Sequence, residues 1–206
     1  MGLDEVKAQL KRFWRFLGED SILSWVVSIA LAFVIIKYLV YPGLGLLLGT
    51  SFPIVAVVSE SMEQPGSFDD WWAVHEDFYL QQQITKQQFR EFPFSNGFNK
   101  GDIMILRGAP HERVARGDVL VFWSGKPYPI IHRVVKVDVH PQSGEIFYET
   151  KGDNNRDQVV DFYLDETRIL PEQVVGKAVG RVPYLGYVRV WASDAMNLLL
   201  GREPVS

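Results

Sequence analysis

The strongest constraint on this chain is the stretch from Ser21 to Tyr41, whose only charged side chain is Lys37. As a helix rising 1.5 Å per residue it would span about 30 Å, the depth of one bilayer core. Within it, Val26 to Ile36 is apolar on every helix face, whereas a surface helix would keep a polar stripe. Lys37 lies near the end, where its stem can snorkel to the headgroups. Pro42, Gly43 and Gly45 then predict a break in the helix. Lys7, Lys11, Arg12 and Arg15 precede the run, and after Lys37 no Lys or Arg occurs until Lys86. The positive-inside rule therefore predicts a cytoplasmic N-terminus, with everything after the span outside. The run is too long for a cleaved leader and closes on no small-x-small site, so a retained single-pass cell-membrane anchor is expected.

Composition removes several function classes. The 21 basic and 25 acidic residues give a net charge of −4, which argues against a general nucleic-acid binder. Cysteine is absent, which excludes disulfides, thiol catalysis and Cys-rich zinc sites.

Beyond the span the chain reads as strands. Ile54 to Val58, Asp102 to Leu106, Asp118 to Trp123, Ile130 to Val139, Ile146 to Thr150 and Val174 to Val182 are β-rich runs bounded by Gly, Pro, Ser or Asn turns. Short connections imply an antiparallel, mainly β core. Residues 63–98 differ, with seven acids (counting Glu60) against Lys86 and Arg90, and a concentration of aromatics. Asp69-Asp70 could cap a helix starting at Trp71, and Thr85-x-x-Gln88 is a capping-box pattern. This is expected to be a helical insertion whose aromatics either dip into the membrane interface or pack a small core of their own. Gly186 to Leu200 is too short and too charged to span, and reads as an amphipathic surface helix or an extra core element. The expected organisation is a cytoplasmic segment over 1–20, a span over 21–41, an extracytoplasmic β domain over 42–191 with the insertion at about 66–98, and a C-terminal segment over 192–206.

Of the four histidines, His75, His111 and His140 lie in polar or loop surroundings and are expected at the surface. His132 sits mid-strand, between Ile130-Ile131 and Val134-Val135. No histidine pair has metal-ligand spacing, and neither a phosphate loop nor a Gly-x-Ser-x-Gly elbow occurs. Three segments carry the elements of nucleophilic acyl transfer: Val58-Ser59-Glu60-Ser61-Met62-Glu63-Gln64-Pro65; Pro129 to Val134 around His132; and Thr150-Lys151-Gly152-Asp153-Asn154-Asn155, with Asp157 and Asp161 beyond. A serine hydroxyl is a weak nucleophile until an imidazole takes its proton and a carboxylate orients that imidazole.

These segments, in this order and behind an N-terminal span, resemble the type I signal peptidases of the archaeal and endoplasmic-reticulum branch. Ser59 to Pro65 resembles the family's Ser-x-Ser-Met-x-Pro box. Asn99-Lys100-Gly101-Asp102 resembles the Gly-Asp pair that follows it. Gly117 to Phe122 with Ile131-His132-Arg133-Val134 resembles the box in which this branch has His and the bacterial branch has Lys. Lys151 to Asn155 resembles the Gly-Asp-Asn box, and Val174 to Ala178 with Val182 to Gly186 resembles the C-terminal strand region. The resemblance implies Ser61 as nucleophile, Ser59 with the Ser61 backbone N–H as oxyanion hole, His132 as general base, and Asp153 with a second acid as the family's carboxylates. Two departures are an extra residue between Met62 and Pro65, and the insertion after it. For the second acid, Asp161 is favoured by its Asp-x-x-Leu context; Asp157 is its rival, and Asp153 could itself orient the base.

The resemblance implies a serine endopeptidase cutting signal peptides from preproteins at the outer membrane surface. A substrate lying as an added strand would be flanked by residues near Ile54 to Val58 and Phe122 to Ile131. Expected partners are preprotein signal peptides, the lipid bilayer and accessory subunits, with no nucleic acid; no metal or organic cofactor is implied. Activity should need the neutral imidazole and fall as acid protonates it. Two alternatives stay open: a Ser/Lys self-cleaving protease of similar fold, with Lys126 or Lys151 as the nearest bases, and a membrane-tethered non-catalytic binding module.

Overall fold

The computed structural model describes residues 2–142 and 144–185. The C-terminal helix or core element expected after Gly186 lies outside the described residues. The chain divides into two units, Met1–Leu47 and Leu48–Ser206.

The first unit begins with helix α1 (Leu3–Leu17), which carries Asp4 and Glu5 in its first turn and Arg15 in its last, complementing the helix dipole. The sequence reading assigned no helix here. Ser21 then caps α2 (Ile22–Ile35) by accepting from the Ser24 N–H at 3.1 Å. The Ser24 hydroxyl donates back to Leu17 O at 3.0 Å, tying the two helices together.

The expected break at Pro42 does not occur. A π-helical turn (Ile36–Val40) is followed directly by α3 (Tyr41–Leu48), so one apolar helix runs from Ile22 to Leu48 over 27 residues. That is about 40 Å, long enough to cross a bilayer. The π turn explains why the proline is tolerated. A proline ring in an α-helix collides with the carbonyl four residues back and lacks the N–H that would bond to it. Here the Tyr41 N–H already reaches five residues back, to Ile36 O, so the backbone is widened where Pro42 enters.

The second unit is a six-stranded antiparallel sheet built from β1 (Ile54–Ala56), β2 (Ile103–Arg107), β3 (Val119–Phe122), β4 (Ile130–Val139), β5 (Ile146–Lys151) and β6 (Val174–Val182). The order is β1-β2-β6-β3-β4-β5. All six runs expected to be strands are strands. Central β3 is buried throughout, and its alternation feeds two cores. Val119 and Val121 join Val57, Met62, Phe98, Met104 and Leu106. Leu120 and Phe122 join Ile130, Val134, Tyr148, Leu164 and Ile169.

Strand β4 is shared unevenly. Ile130 to Arg133 pair with β3, and β5 pairs only from Arg133 onward. The other edge of Ile130 to His132 is therefore free of strand partners among the described residues, as is the outer edge of β1.

The insertion forms α4 (Phe68–Gln81) and α5 (Lys86–Glu91). Thr85 and Gln88 make the expected capping box, but α4 starts earlier than expected. Ser67 is its cap, and Asp70 is the reciprocal partner three residues on rather than the cap itself. Trp71, Trp72, Tyr79, Ile84 and Phe89 bury against one another and against Val135 of β4. The aromatics thus pack a core of their own, one of the two expected arrangements.

His75 is a correction to the expectation that it lies at the surface. It is buried, with its ring 5.1 Å from that of Trp71. Burial, and next the nearby Lys151 cation, push its imidazole down to about 4. An unfolded histidine takes its proton near pH 6.5. Between the two values the unfolded chain binds more protons, so the stability present above pH 6.5 is lost as pH falls towards 4. Replacing His75 by Phe is expected to flatten the pH dependence of the thermal midpoint across that window, as read by circular dichroism.

Candidate active site

The site is built where three segments meet. Ser61 follows β1 on a short loop anchored by Met62, which is fully buried in the sheet core. His132 lies on β4, opposite Leu120 of β3. The Gly152–Asn155 loop leaves the end of β5.

Ser61 Oγ stands 2.9 Å from His132 Nε2. On the other side of the ring, His132 Nδ1 is 2.5 Å from Glu166 Oε1. An ionised carboxylate only accepts, so the proton belongs on Nδ1, leaving the Nε2 lone pair facing the serine hydroxyl. Glu166 is fully buried and its oxygens are occupied. Oε1 also accepts from the Thr150 hydroxyl at 3.0 Å, and Oε2 accepts from the Val159 N–H at 2.8 Å. Ser59 Oγ lies 3.1 Å from Ser61 Oγ. Gly152 leaves room for this arrangement: a β-carbon there would sit 2.8 Å from Ser61 O and 2.9 Å from His132 Nε2.

Sequence reasoning missed Glu166 and placed the carboxylates elsewhere. Asp153 is buried and close by, but it faces Arg133 rather than His132. Arg133 Nε donates to its Oδ1 at 2.8 Å and Arg133 Nη2 to its Oδ2 at 2.7 Å. The exposed Asp161 carboxylate accepts from the Tyr163 and Leu164 N–H groups at 2.7 and 2.9 Å, closing its own turn. Asp157 is also exposed and lines a separate cavity with His75, Asp77 and Arg156. None of the three touches His132. In the structure Leu164 and Glu166 are buried while Asp165 and Thr167 are exposed, an alternation that turns the glutamate inward; the run of polar residues Asp165 to Arg168 carries no such signal in sequence.

The two lysines differ. Lys151 is fully buried, with its ammonium 5.1 and 4.8 Å from the ring centres of Phe78 and Tyr79, donating to Gly152 O at 3.0 Å. Burial lowers it to about 8, against the pull of the Asp153 and Glu166 charges. It does not reach Ser61. Lys126 shares a cleft with Ser59, Ser61 and His132, walled on one side by Ala56 and Val58 and on the other by Tyr128 to Ile131. That cleft runs along the open edge of β4.

A serine hydroxyl on an imidazole that is itself held by a carboxylate, carried on an antiparallel sheet behind an apolar helix, is the constellation of a nucleophilic serine hydrolase. Comparison with known proteins narrows the class. No family model matches the chain. It is 32% identical over 164 residues to signal peptidase complex catalytic subunit sec11 of Schizosaccharomyces pombe, covering 76% of each chain. It is 29% identical over 167 residues to signal peptidase complex catalytic subunit SEC11 of Lachancea thermotolerans, covering 80% of each. It is 30% identical over 158 residues to signal peptidase complex catalytic subunit SEC11C of Homo sapiens, which is 76% of this chain and 65% of that one. The chain thus spans just under two thirds of the mammalian relative's length. It belongs to the family of signal peptidase catalytic subunits.

The buried acid should betray its role in stability. Asp153→Ala strands the Arg133 guanidinium without its carboxylate, and is expected to cost about 3–5 kcal/mol in unfolding free energy. Asp157→Ala and Asp161→Ala, both at exposed positions, should cost no more than about 1 kcal/mol in the same denaturant titration.

Proposed function

We propose that this chain is a membrane-bound serine endopeptidase that removes signal peptides from preproteins, with Ser61 as nucleophile, His132 as general base and Glu166 as the acid that orients the base. The observation that carries this reading is the hydrogen-bonded chain from Ser61 Oγ through both nitrogens of His132 to Glu166. Family membership supports the substrate class, and the relatives' names, which describe subunits of a complex, support accessory subunits as partners. The basic residues before the apolar helix support a cytoplasmic N-terminus, with the β domain on the far side of the membrane.

In the proposed reaction the substrate segment lies in the cleft between β1 and the open edge of β4, held by backbone hydrogen bonds as an added strand. His132 Nε2 takes the Ser61 proton as Oγ attacks the scissile carbonyl carbon. The Nδ1–H stays on the Glu166 carboxylate, which stabilises the imidazolium that forms. Ser59 Oγ–H and the Ser61 backbone N–H are the donors nearest to hand for the oxyanion. The imidazolium then protonates the leaving amine. A water, deprotonated by the same imidazole, releases the acyl group and restores the serine.

The family resemblance offers Asp153 in the acid's place, but its carboxylate is committed to Arg133. Lys151 is disfavoured as the base by its aromatic enclosure. The test is cleavage of a preprotein by the chain reconstituted in lipid vesicles. Ser61→Ala and His132→Ala should abolish product, and Glu166→Gln should lower kcat by about 10²–10⁴. Asp157→Ala and Asp161→Ala should cleave within about threefold of wild type. Full activity in Ser61→Ala would overturn the peptidase reading. Full activity in Glu166→Gln together with loss in Asp161→Ala would return the orienting role to Asp161.

A further inference from the structure

The helical insertion grips all three segments of the site. Phe98 N–H donates to Met62 O at 3.0 Å, one residue past the serine, and Gly97 lies so close to that carbonyl that a β-carbon would come within 2.5 Å of it. Pro93 O and Phe94 O accept from Arg133, the neighbour of His132, at 2.7 and 2.9 Å. Tyr79 OH donates to Asp153 Oδ1 at 3.1 Å, and Trp71 Nε1–H donates to Asp153 O at 3.1 Å.

The Trp71 bond has a particular geometry. Asp153 C=O and Asn154 N–H belong to one peptide unit, which is planar and turns as a whole. Its carbonyl accepts from the Trp71 indole, and its N–H donates to Ser61 O at 2.8 Å. A hydrogen-bonded relay therefore runs from the indole, through one peptide plane, to the backbone of the serine. Bonds in such a chain polarise one another. Turning that plane would break both bonds and remove the tie on Ser61 O, leaving the Ser61 loop to the Phe98 N–H bond on Met62 O and the Asn154 Nδ2 bond on Glu60 O. Among the described residues, the other donor to this carbonyl is the Lys151 ammonium, at 3.5 Å.

We propose that the insertion is a clamp on the active site, and that Trp71, seconded by Tyr79, is a positioning residue that sets the Ser61 hydroxyl against His132 through the Asp153–Asn154 peptide. This rests on the serine-peptidase reading above. It assigns the insertion a task inside the site rather than at the lipid surface or on a partner.

Two measurements on the full chain in lipid vesicles test it: steady-state cleavage of a preprotein, and the rate at which a fluorophosphonate, a small serine-directed reagent, labels the enzyme. Trp71→Phe keeps an aromatic ring and deletes the donor. Trp72→Phe is the matched control, since Trp72 packs in the same cluster, against Trp71 and Tyr79, and among the described residues makes no hydrogen bond to the loop. Trp71→Phe is expected to lower kcat and the labelling rate together by about tenfold, with KM within about twofold, while Trp72→Phe leaves both rates near wild type. Tyr79→Phe, nearly isosteric, should give a smaller loss of the same kind and serves if Trp71→Phe fails to fold by circular dichroism. Wild-type kcat and labelling in folded Trp71→Phe, or in Tyr79→Phe where the first is unfolded, would overturn the clamp. So would equal losses in Trp71→Phe and Trp72→Phe that follow their thermal midpoints. Undiminished labelling and cleavage by Ser61→Ala would instead overturn the peptidase reading beneath it.

Discussion

The β unit is organised around one buried ion pair. Arg133 and Asp153 are both wholly inaccessible. Taking two charges out of water costs several kcal/mol per ion, and only near-complete hydrogen bonding offsets it. Arg133 meets that condition, since its five N–H groups have five acceptors: two carboxylate oxygens and the carbonyls of Pro93, Gly117 and Phe94. Those acceptors come from the loop after β5, the turn before β3 and the end of the insertion. Few other arrangements of these segments could leave the guanidinium satisfied. The pair is thus a registry device first, and whatever stability it adds is secondary.

The same pair explains why the proposed site draws on a second acid. His132 and Arg133 are neighbours on a strand, so their side chains leave opposite faces. One carboxylate cannot serve both. Asp153 lies on the Arg133 side with the insertion, and Glu166 approaches His132 from the side of Leu164 and Ile169. The chain therefore needs an inward-facing acid on each face of β4.

Much of this was legible in the sequence, for identifiable reasons. The strands announced themselves because β-branched runs were punctuated by Gly, Pro and Asn, and the limits of β4 and β6 agree to the residue with the expected runs. The serine, the histidine and the glycine loop stood out because they sit in local boxes. Three features were not readable locally. Pro42 predicts a broken helix unless a π turn precedes it, and nothing in Ile36 to Val40 advertises one. His75 looked polar and exposed because its burial depends on Trp71 and on a loop 80 residues away. Glu166 was passed over because Asp161 sits in a more family-like context. The alternation that turns Glu166 inward becomes meaningful only once Thr150 N–H pairs with Glu166 O, as it does at 2.8 Å.

The distances along the chain between interacting groups carry a consequence for biosynthesis. Ser61 meets His132 across 71 residues, and His132 meets Glu166 across another 34. The Trp71 indole bonds to a carbonyl 82 residues further on. Contacts of such high sequence separation form late, after the intervening sheet has closed. On the proposed function, a nascent chain whose apolar helix has already emerged, with Ser61 behind it, still holds an inert hydroxyl. On that reading reactivity waits for the segments that carry His132 and Glu166, so the ribosome delivers the serine well before topology makes it dangerous.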